Sequence, residues 1–138
     1  MPNPDFTSSN GIEEGTEFQP QWGKDSTTPF STLPLVVQNY DTLEVILVGS
    51  ISKEALKMSL EKKEVVLWSK SRQEIWHKGK TSGDFLEIKE VRVNCEQNAF
   101  LFLVRLKGQG ACHTKKNNQP RSSCFYRRLK NKHLELLF

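Results

Sequence analysis

The sequence predicts an α+β fold with a mostly antiparallel β-sheet and one main helix. The prediction is based on about seven short runs rich in β-branched and aromatic residues, turn residues between them, and one segment with helix start and stop signals. One helix among several short strands is typical of α+β domains. The length of 138 residues suits one domain and is too short for two independent ones.

The chain divides into a leader and a domain. Residues 1–31 are rich in Pro, Ser, Thr, Asn and Gly, with Phe18 and Trp22 as the only large anchors near their end. This composition predicts a flexible leader with one short edge strand at about 17–23. Residues 32–138 are predicted to form the folded domain.

The domain is expected to open with a β-hairpin and the main helix. The runs LPLVVQ and LEVILVG are separated by NYDT, a turn sequence, which predicts the hairpin. The helix is predicted over 52–62. Ser52 is a good N-cap, and Ile51 and Leu56 occupy the two hydrophobic-staple positions.

The remaining elements are predicted to be strands. EVVLWS, FLEIKEVRV and AFLFLVRL have strand composition, and KGKTSGD has the glycines and polar residues of a loop. The apolar alternation in FLEIKEVRV changes phase between Ile88 and Val91, which predicts a bulge. SSCFYRR could add a strand, and HLELLF either a strand or a short helical tail.

Composition restricts the compartment and the partners. No run approaches the roughly 18 apolar residues of a membrane span, and the N-terminus lacks both the basic and the apolar region of a secretory signal. We therefore expect a cytoplasmic protein without a membrane partner. The three cysteines are an odd number, and a reducing cytoplasm disfavours stable disulfides.

Basic residues give the chain a net charge of +4 and cluster in SKSRQEIWHKGK and over 115–132. The clusters suit a phosphate-bearing partner, although mild basicity is also common on plain solvated surfaces. Nucleic acid is not the expected partner. Phe100 and Phe102 lie in the strongly apolar AFLFLVRL, where burial is the ordinary explanation, and no RNA-binding signature is present.

The cysteines are the most informative residues. Cys112 and Cys124 are twelve apart, His113 follows the first, and the spacing is not that of a CxxC knuckle. Thiolates favour Zn²⁺, which needs at least three protein ligands, and Cys95 and His113 are the candidates for the third. In the alternative interpretation, Cys95 is a small core residue and His113 a solvated loop residue. These residues alone leave both interpretations open.

Three blocks, LWSKSRQEIWHKGKTSGDF, VRVNCEQNAFLFLV and GACHTKKNNQPRSSCFYRR, resemble in this order the signature blocks of the phosphoribosyl-AMP cyclohydrolase family of histidine biosynthesis. LPLVVQNYDTLEVILVGSISKEAL resembles the opening hairpin and helix of that family. The likeness covers about residues 33–128.

The resemblance implies an intertwined homodimer with active sites at the subunit interface. Zinc would be held by Cys112 and Cys124 of one chain and Cys95 of the other, which would account for the odd number of cysteines. A zinc ion with three protein ligands keeps a fourth position for water. His113 would handle protons. The implied reaction is the third step of histidine biosynthesis, hydrolytic opening of the purine ring of phosphoribosyl-AMP between N1 and C6. The implied substrate-binding residues are Arg72, Lys78, Thr81 and Ser82.

The chain departs from the family where magnesium would bind. Members carry Asp-Cys-Asp-x-Asp, whereas this chain has Asn94, Cys95, Glu96, Gln97 and Asn98. Because Mg²⁺ is usually held through carboxylates, the magnesium site is predicted to be absent or much weakened. Two alternative functions stay open: hydrolysis of another purine or pteridine nucleotide, and a non-catalytic zinc-bridged dimer that binds phosphorylated ligands.

Overall fold

The computed structural model describes residues 12–23 and 31–138. The main sheet is built from β1 (Thr32–Asn39), β2 (Val45–Ser52), β3 (Val66–Ser69), β4 (Glu74–His77), β5 (Leu86–Val93) and β6 (Phe100–Leu106). The helix α1 (Lys53–Lys62) lies between β2 and β3 in the chain. Two small hairpins follow: β7 (Lys115–Lys116) with β8 (Gln119–Pro120), and β9 (Arg127–Lys130) with β10 (His133–Leu136).

The six-stranded sheet is mixed and curled. Its order is β4-β3-β2-β1-β6-β5, and every neighbouring pair is antiparallel except β1 and β6, which run parallel. Just before β3, Glu64 bridges Glu87 of β5, and the amide of Val65 donates to the carbonyl of Leu86 at 3.1 Å. The edge strand β5 therefore curls round to meet the other side of the sheet. The predicted α+β fold is confirmed in part: there is one main helix and most strand pairs are antiparallel, but the chain is mostly β and the sheet is mixed because β1 and β6 run parallel.

The predicted helix is confirmed almost residue for residue. The hydroxyl of Ser52 accepts from the amide of Ala55 at 3.1 Å, and Ile51 and Leu56 are both buried, as a staple requires. The helix ends at a left-handed residue, Lys63. Its buried face consists of Ala55, Leu56 and Ser59, and packing of this face against the sheet stabilises the helix more than intrinsic propensity does.

The sequence predictions for the strands are mostly confirmed. The hairpin of β1 and β2 forms, and the register of β5 shifts between Ile88 and Glu90, where the bulge was expected. β4 was missed, because EIWH is too short to show a period. In SSCFYRR a strand begins only at Arg127, and HLELLF forms β10 rather than a helical tail.

The core lies inside the curl. Phe100 and Phe102 of β6 pack there with residues of β1, β2, β3, β5 and the helix, Ile75 of β4 packs against this cluster, and both phenylalanines are almost fully buried. The leader residues 12–23 contain no strand, so the predicted edge strand at 17–23 is wrong. Instead Phe18 and Trp22 pack against Phe100, with ring centroids 6.2 and 6.0 Å away. Residues 1–11 and 24–30, the rest of the predicted leader, lie outside the described residues.

Within the described ranges, no helix has the length and apolar character needed to cross a membrane.

Candidate active site

A cavity of about 550 Å³ opens beside β2, between the turn after β4 and the segment before β7. Its lining includes seven of the predicted site residues: Arg72, Lys78, Thr81, Ser82, Cys112, His113 and Cys124. They come from three separate parts of the chain, and the tertiary fold brings them to one place. The cavity wall also contains apolar side chains, among them Val48 and Trp76.

Backbone hydrogen bonds hold the two thiols close together despite their twelve-residue separation. The amide of Cys112 donates to the carbonyl of Arg121 at 2.9 Å, and the amide of Cys124 donates to the carbonyl of Ile46 on β2 at 2.7 Å. The buried hydroxyl of Ser123 donates to the carbonyl of Val45 at 2.6 Å. The cavity wall at β2 thus fixes the second cysteine relative to the first.

The insert between the cysteines forms a small hairpin. β7 and β8 pair across a two-residue turn of Asn117 and Asn118, both with positive φ. Asparagine tolerates this left-handed conformation better than most residues, and two in a row form the turn of a tight hairpin. The two ends of the insert, Lys115 and Pro120, therefore lie side by side.

The pKa values of the two thiols are shifted in opposite directions. Burial raises the pKa of Cys124 to about 11, helped by the neighbouring sulfur of Cys112; the residue as a whole is exposed, but its thiol faces the cavity wall. Burial also disfavours the Cys112 thiolate, but hydrogen bonds from the hydroxyl and amide of Thr114 and from Cys124 outweigh it and lower the pKa of Cys112. The Thr114 contacts measure 3.0 Å from hydroxyl to sulfur and 3.5 Å from amide to sulfur. Of the two thiols, Cys112 is therefore the one whose pKa the fold lowers.

A buried cation faces this pair. Lys78 is 6 % exposed, and its Nζ lies 5.5 Å from the ring centroid of Trp76. Burial lowers the pKa of Lys78, while Cys124, Asp84 and Cys112 oppose that change by favouring the ammonium. The arrangement places the ammonium of Lys78 inside the cavity that both thiols line.

Gly79 makes the turn that carries the remaining predicted contacts. Its φ is +96°, and a Cβ atom there would lie 2.5 Å from the amide nitrogen of Phe85. The tight turn places Thr81 and Ser82 on the cavity wall. Arg72 also lines the cavity; it is exposed, and its one ion pair with a described residue is a loose contact of 4.0 Å with Glu74, so its guanidinium is available to a ligand. His113 is also exposed at the wall.

Cys95 lies elsewhere on the chain. It is exposed in the loop between β5 and β6, so the interpretation of Cys95 as a core residue is wrong. Among residues 12–23 and 31–138 of one chain, no three or more His, Cys, Asp or Glu side chains cluster as a metal site would require. The described residues of one chain therefore contribute two neighbouring thiols, soft donors of the kind that zinc prefers, and structural and catalytic zinc sites have at least three protein ligands.

The residues at the expected magnesium position do not fit that ion. The Nδ2 of Asn94 donates to the Oδ1 of Asn98 at 2.6 Å, and the Oδ1 of Asn94 accepts from the amides of Asn98 and Ala99 at 2.8 and 3.0 Å. Glu96 is the one carboxylate retained, and it lines a cavity of about 330 Å³ together with Glu13 of the leader. Amide oxygens already engaged in the loop are poor ligands for an ion that prefers carboxylates.

Sequence reasoning missed two residues that the structure makes prominent. Thr114 is the donor to Cys112, and its position two residues after a suspected ligand was the available signal. Gln97 is 4 % exposed and binds the leader segment, although nothing in the local sequence indicates burial for a glutamine in a loop.

The curled sheet and this cavity define a small β-rich enzyme domain whose thiol pair, imidazole and cations suit a hydrolase acting on a phosphorylated substrate. The profile of the family described as "PRA-CH: Phosphoribosyl-AMP cyclohydrolase" matches residues 47–126. The chain belongs to the phosphoribosyl-AMP cyclohydrolase family, a family of hydrolases in histidine biosynthesis. The sequence resemblance is thereby confirmed.

Individual relatives agree. The chain is 39 % identical over 99 residues to a phosphoribosyl-AMP cyclohydrolase of Chloroherpeton thalassium, covering 72 % of this chain and 66 % of that protein. It is 43 % identical over 97 residues to one of Clostridium botulinum, covering 70 % and 84 % respectively. A third relative, the histidine biosynthesis bifunctional protein HisIE of Caldanaerobacter subterraneus, is 42 % identical over 95 residues, which make up 43 % of its length.

Proposed function

We propose that the protein hydrolyses phosphoribosyl-AMP as a zinc-dependent homodimer. In this reaction, water adds to C6 of the purine, the C6–N1 bond breaks, C6 becomes the carbon of a carboxamide, and N1 takes up a proton. The adenine ring is a poor electrophile, so the water must be made more nucleophilic and the leaving nitrogen protonated.

The observation that carries this proposal is the convergence of distant sequence blocks on one cavity. Two cationic residues, Arg72 and Lys78, line it together with Cys112, His113 and Cys124. A purely structural role for these residues would not require a solvent-connected cavity between a thiol pair and two cations. The volume of about 550 Å³ falls within the range of small-molecule sites.

The thiols support the zinc dependence. A zinc ion held by Cys112, Cys124 and Cys95 of the partner subunit would supply a water of lowered pKa. Thr114 donates to the sulfur of Cys112, as residues around a metal ligand commonly do. Because one chain provides two neighbouring thiols and an exposed third one away from the cavity, a dimer is the simplest way to complete three ligands.

The other side chains have separate roles in the proposal. His113 is exposed beside Cys112 and is able to accept a proton from the attacking water and return it to N1. Lys78 and Arg72 would bind phosphate, since a buried ammonium and a free guanidinium are both strong partners for an anion. Thr81 and Ser82 would donate to phosphate or ribose oxygens. In this proposal magnesium is not required.

A steady-state assay tests the function. Purified zinc-loaded protein is given phosphoribosyl-AMP, and ring opening is followed by absorbance. Wild type is expected to turn over, and His113→Ala to lose at least about 100-fold in kcat, the usual contribution of a positioned acid–base group. His133→Ala is the matched control, because His133 is exposed on β10 and does not line the cavity. Absence of turnover in fully zinc-loaded wild type would rule out this substrate. Full activity in His113→Ala would rule out the proposed role of the His113 imidazole.

A further inference from the structure

We propose that Gln97 docks the leader segment 12–21 onto the loop that carries Cys95, and that this contact fixes the loop in place of a bound cation. The loop spans Asn94 to Ala99, between β5 and β6. Asn94 and Asn98, which stand where the family resemblance implies magnesium ligands, hydrogen-bond to each other and to the loop backbone instead. The consequence for Cys95 as a zinc ligand rests on the proposed function, whereas the docking itself does not.

The first step concerns the two ends of the loop. Asn94 and Asn98 face each other, with Nδ2 to Oδ1 at 2.6 Å. Carboxylates at both positions would bring two negative charges into contact, and a cation between them would be needed to offset the repulsion. An amide pair matches one donor with one acceptor. The loop therefore closes without an ion.

The second step concerns Gln97. Its Nε2 donates to the carbonyls of Ile12 and Glu17, both at 3.1 Å, and its Oε1 accepts from the amide of Gln19 at 2.8 Å. Its carbonyl also accepts from the amide of Gln21 at 2.8 Å. Both N–H groups of the side-chain amide and its carbonyl oxygen thus bond to the leader.

The backbone of Gln97 strengthens this argument. Its φ is +52°, a left-handed conformation in which glycine or asparagine is favoured. A non-glycine residue in this conformation carries some backbone strain, and the bonds of Gln97 to the leader help to offset it here. The side chain is almost completely buried, under residues of the leader rather than in the core. The contacts of Phe18 and Trp22 with Phe100 add apolar area to the same docking surface.

Amide hydrogen exchange on zinc-free, full-length protein tests the docking. Gln97→Met keeps the side-chain length and removes all three side-chain bonds. We expect the amide of Gln19, bonded to the missing oxygen, and that of Gln21 to lose protection by about 30-fold or more, since each hydrogen bond contributes on the order of 1 kcal/mol and 1.4 kcal/mol is tenfold. Unchanged protection of both amides would overturn the proposal.

Gln73→Met is the matched control. Gln73 is also a glutamine with positive φ, +55°, but it is exposed and makes one side-chain bond, to the carbonyl of Lys70. The same substitution there is expected to leave the exchange of Gln19 and Gln21 within a few-fold of wild type. An equal loss of their protection in this control would overturn the specific role of Gln97.

Magnesium supplies the second arm. Millimolar Mg²⁺ is expected to leave the exchange of Asn98 and Ala99 unchanged in wild type. The double variant Asn94→Asp with Asn98→Asp is expected to lose protection at the amide of Ala99 and to regain it with Mg²⁺. The proposal that the amide pair replaces a cation would be overturned if Mg²⁺ increased the protection of the wild-type loop. It would also be overturned if the double variant were fully protected without Mg²⁺.

Zinc separates this inference from the proposed function. Gln97→Met is expected to weaken zinc binding to the dimer by a few-fold or more in a chelator competition, while Gln73→Met does not. If wild type binds no zinc although Gln97→Met releases the leader, the proposed function fails and the docking stands. If zinc binds equally in all three proteins while the exchange result holds, the positioning of Cys95 by Gln97 is refuted.

Discussion

Removing the hydroxyl of Thr114 tests the thiol pair more directly than any ligand substitution does. Thr114→Val keeps the shape and the backbone amide but deletes the donor that lies 3.0 Å from the sulfur of Cys112. That hydroxyl is the leading contribution that lowers the pKa of Cys112 against its burial. We expect the variant to fold normally and to hold zinc less tightly.

The magnitude follows from the hydrogen bond. A bond to a charged acceptor contributes about 1.5–3 kcal/mol, and sulfur is a weaker acceptor than oxygen, so we expect a loss of about 1–2 kcal/mol. That loss corresponds to a zinc affinity lower by about 5- to 30-fold. The amide of Thr114, 3.5 Å from the sulfur, remains and keeps the effect moderate.

Two measurements check the expected effect of Thr114→Val. Zinc affinity is measured by competition with a chelator, and the pH dependence of Cys112 alkylation is measured in the zinc-free protein. In Thr114→Val the thiolate should appear at higher pH than in wild type, because a favourable contact to the anion has been lost. Thr114→Ser, which retains the hydroxyl, should behave like wild type. Equal zinc affinity and equal alkylation profiles in both variants would refute the reasoning.

Three further predictions concern stability and binding. Ser59→Ala should lower the free energy of unfolding by about 2–4 kcal/mol, because its buried hydroxyl bonds both the carbonyl and the amide of Val66. Glu64→Gln should cost about 1–3 kcal/mol at neutral pH. The bond of Glu64 to Lys107 holds the pKa of Glu64 below its usual value. The stability that this carboxylate gives the wild type is therefore fully present above about pH 4.3 and disappears as the pH falls further, and the deficit of the variant disappears with it. Lys78→Met should lower kcat/KM by about 10- to 150-fold, mainly through KM, if the ammonium binds phosphate.

Each of these has a neighbouring control. Ser71→Ala, Glu61→Gln and Lys80→Met change the same side chains at exposed positions and should leave the measured quantity nearly unchanged. Denaturant unfolding across pH reports the first two variants, and steady-state kinetics the third. A Glu64→Gln variant whose deficit is as large at pH 3 as at pH 7 would contradict the ion-pair explanation. A Lys78→Met variant that differs from wild type no more than Lys80→Met would contradict the phosphate contact.

Much of the fold could be predicted because its signals are local. Ser52 caps α1 through a bond three residues away, and the bulge near Ile88 appears as a phase change within one strand. The parallel pairing of β1 with β6 could not be predicted, since it joins segments more than sixty residues apart and depends on the curl of the whole sheet. β4 was missed because four residues do not establish a period. The leader has few apolar residues, and no periodicity in the sequence indicates that Gln97 binds it.

The sequence by itself determined the family and the identity of the reactive groups, because blocks such as WSKSRQ, KGKTSG and SCFY carry their chemistry in the residues themselves. Only the tertiary structure decided which of those groups meet. Lys78 comes to lie beside Cys112 and Cys124, and Thr114 turns its hydroxyl to a sulfur, because backbone bonds to Ile46 and Arg121 fix segments that are distant in the chain. Burial, pKa and hydrogen bonding arise from such long-range contacts, and they are set only when the chain has closed on itself.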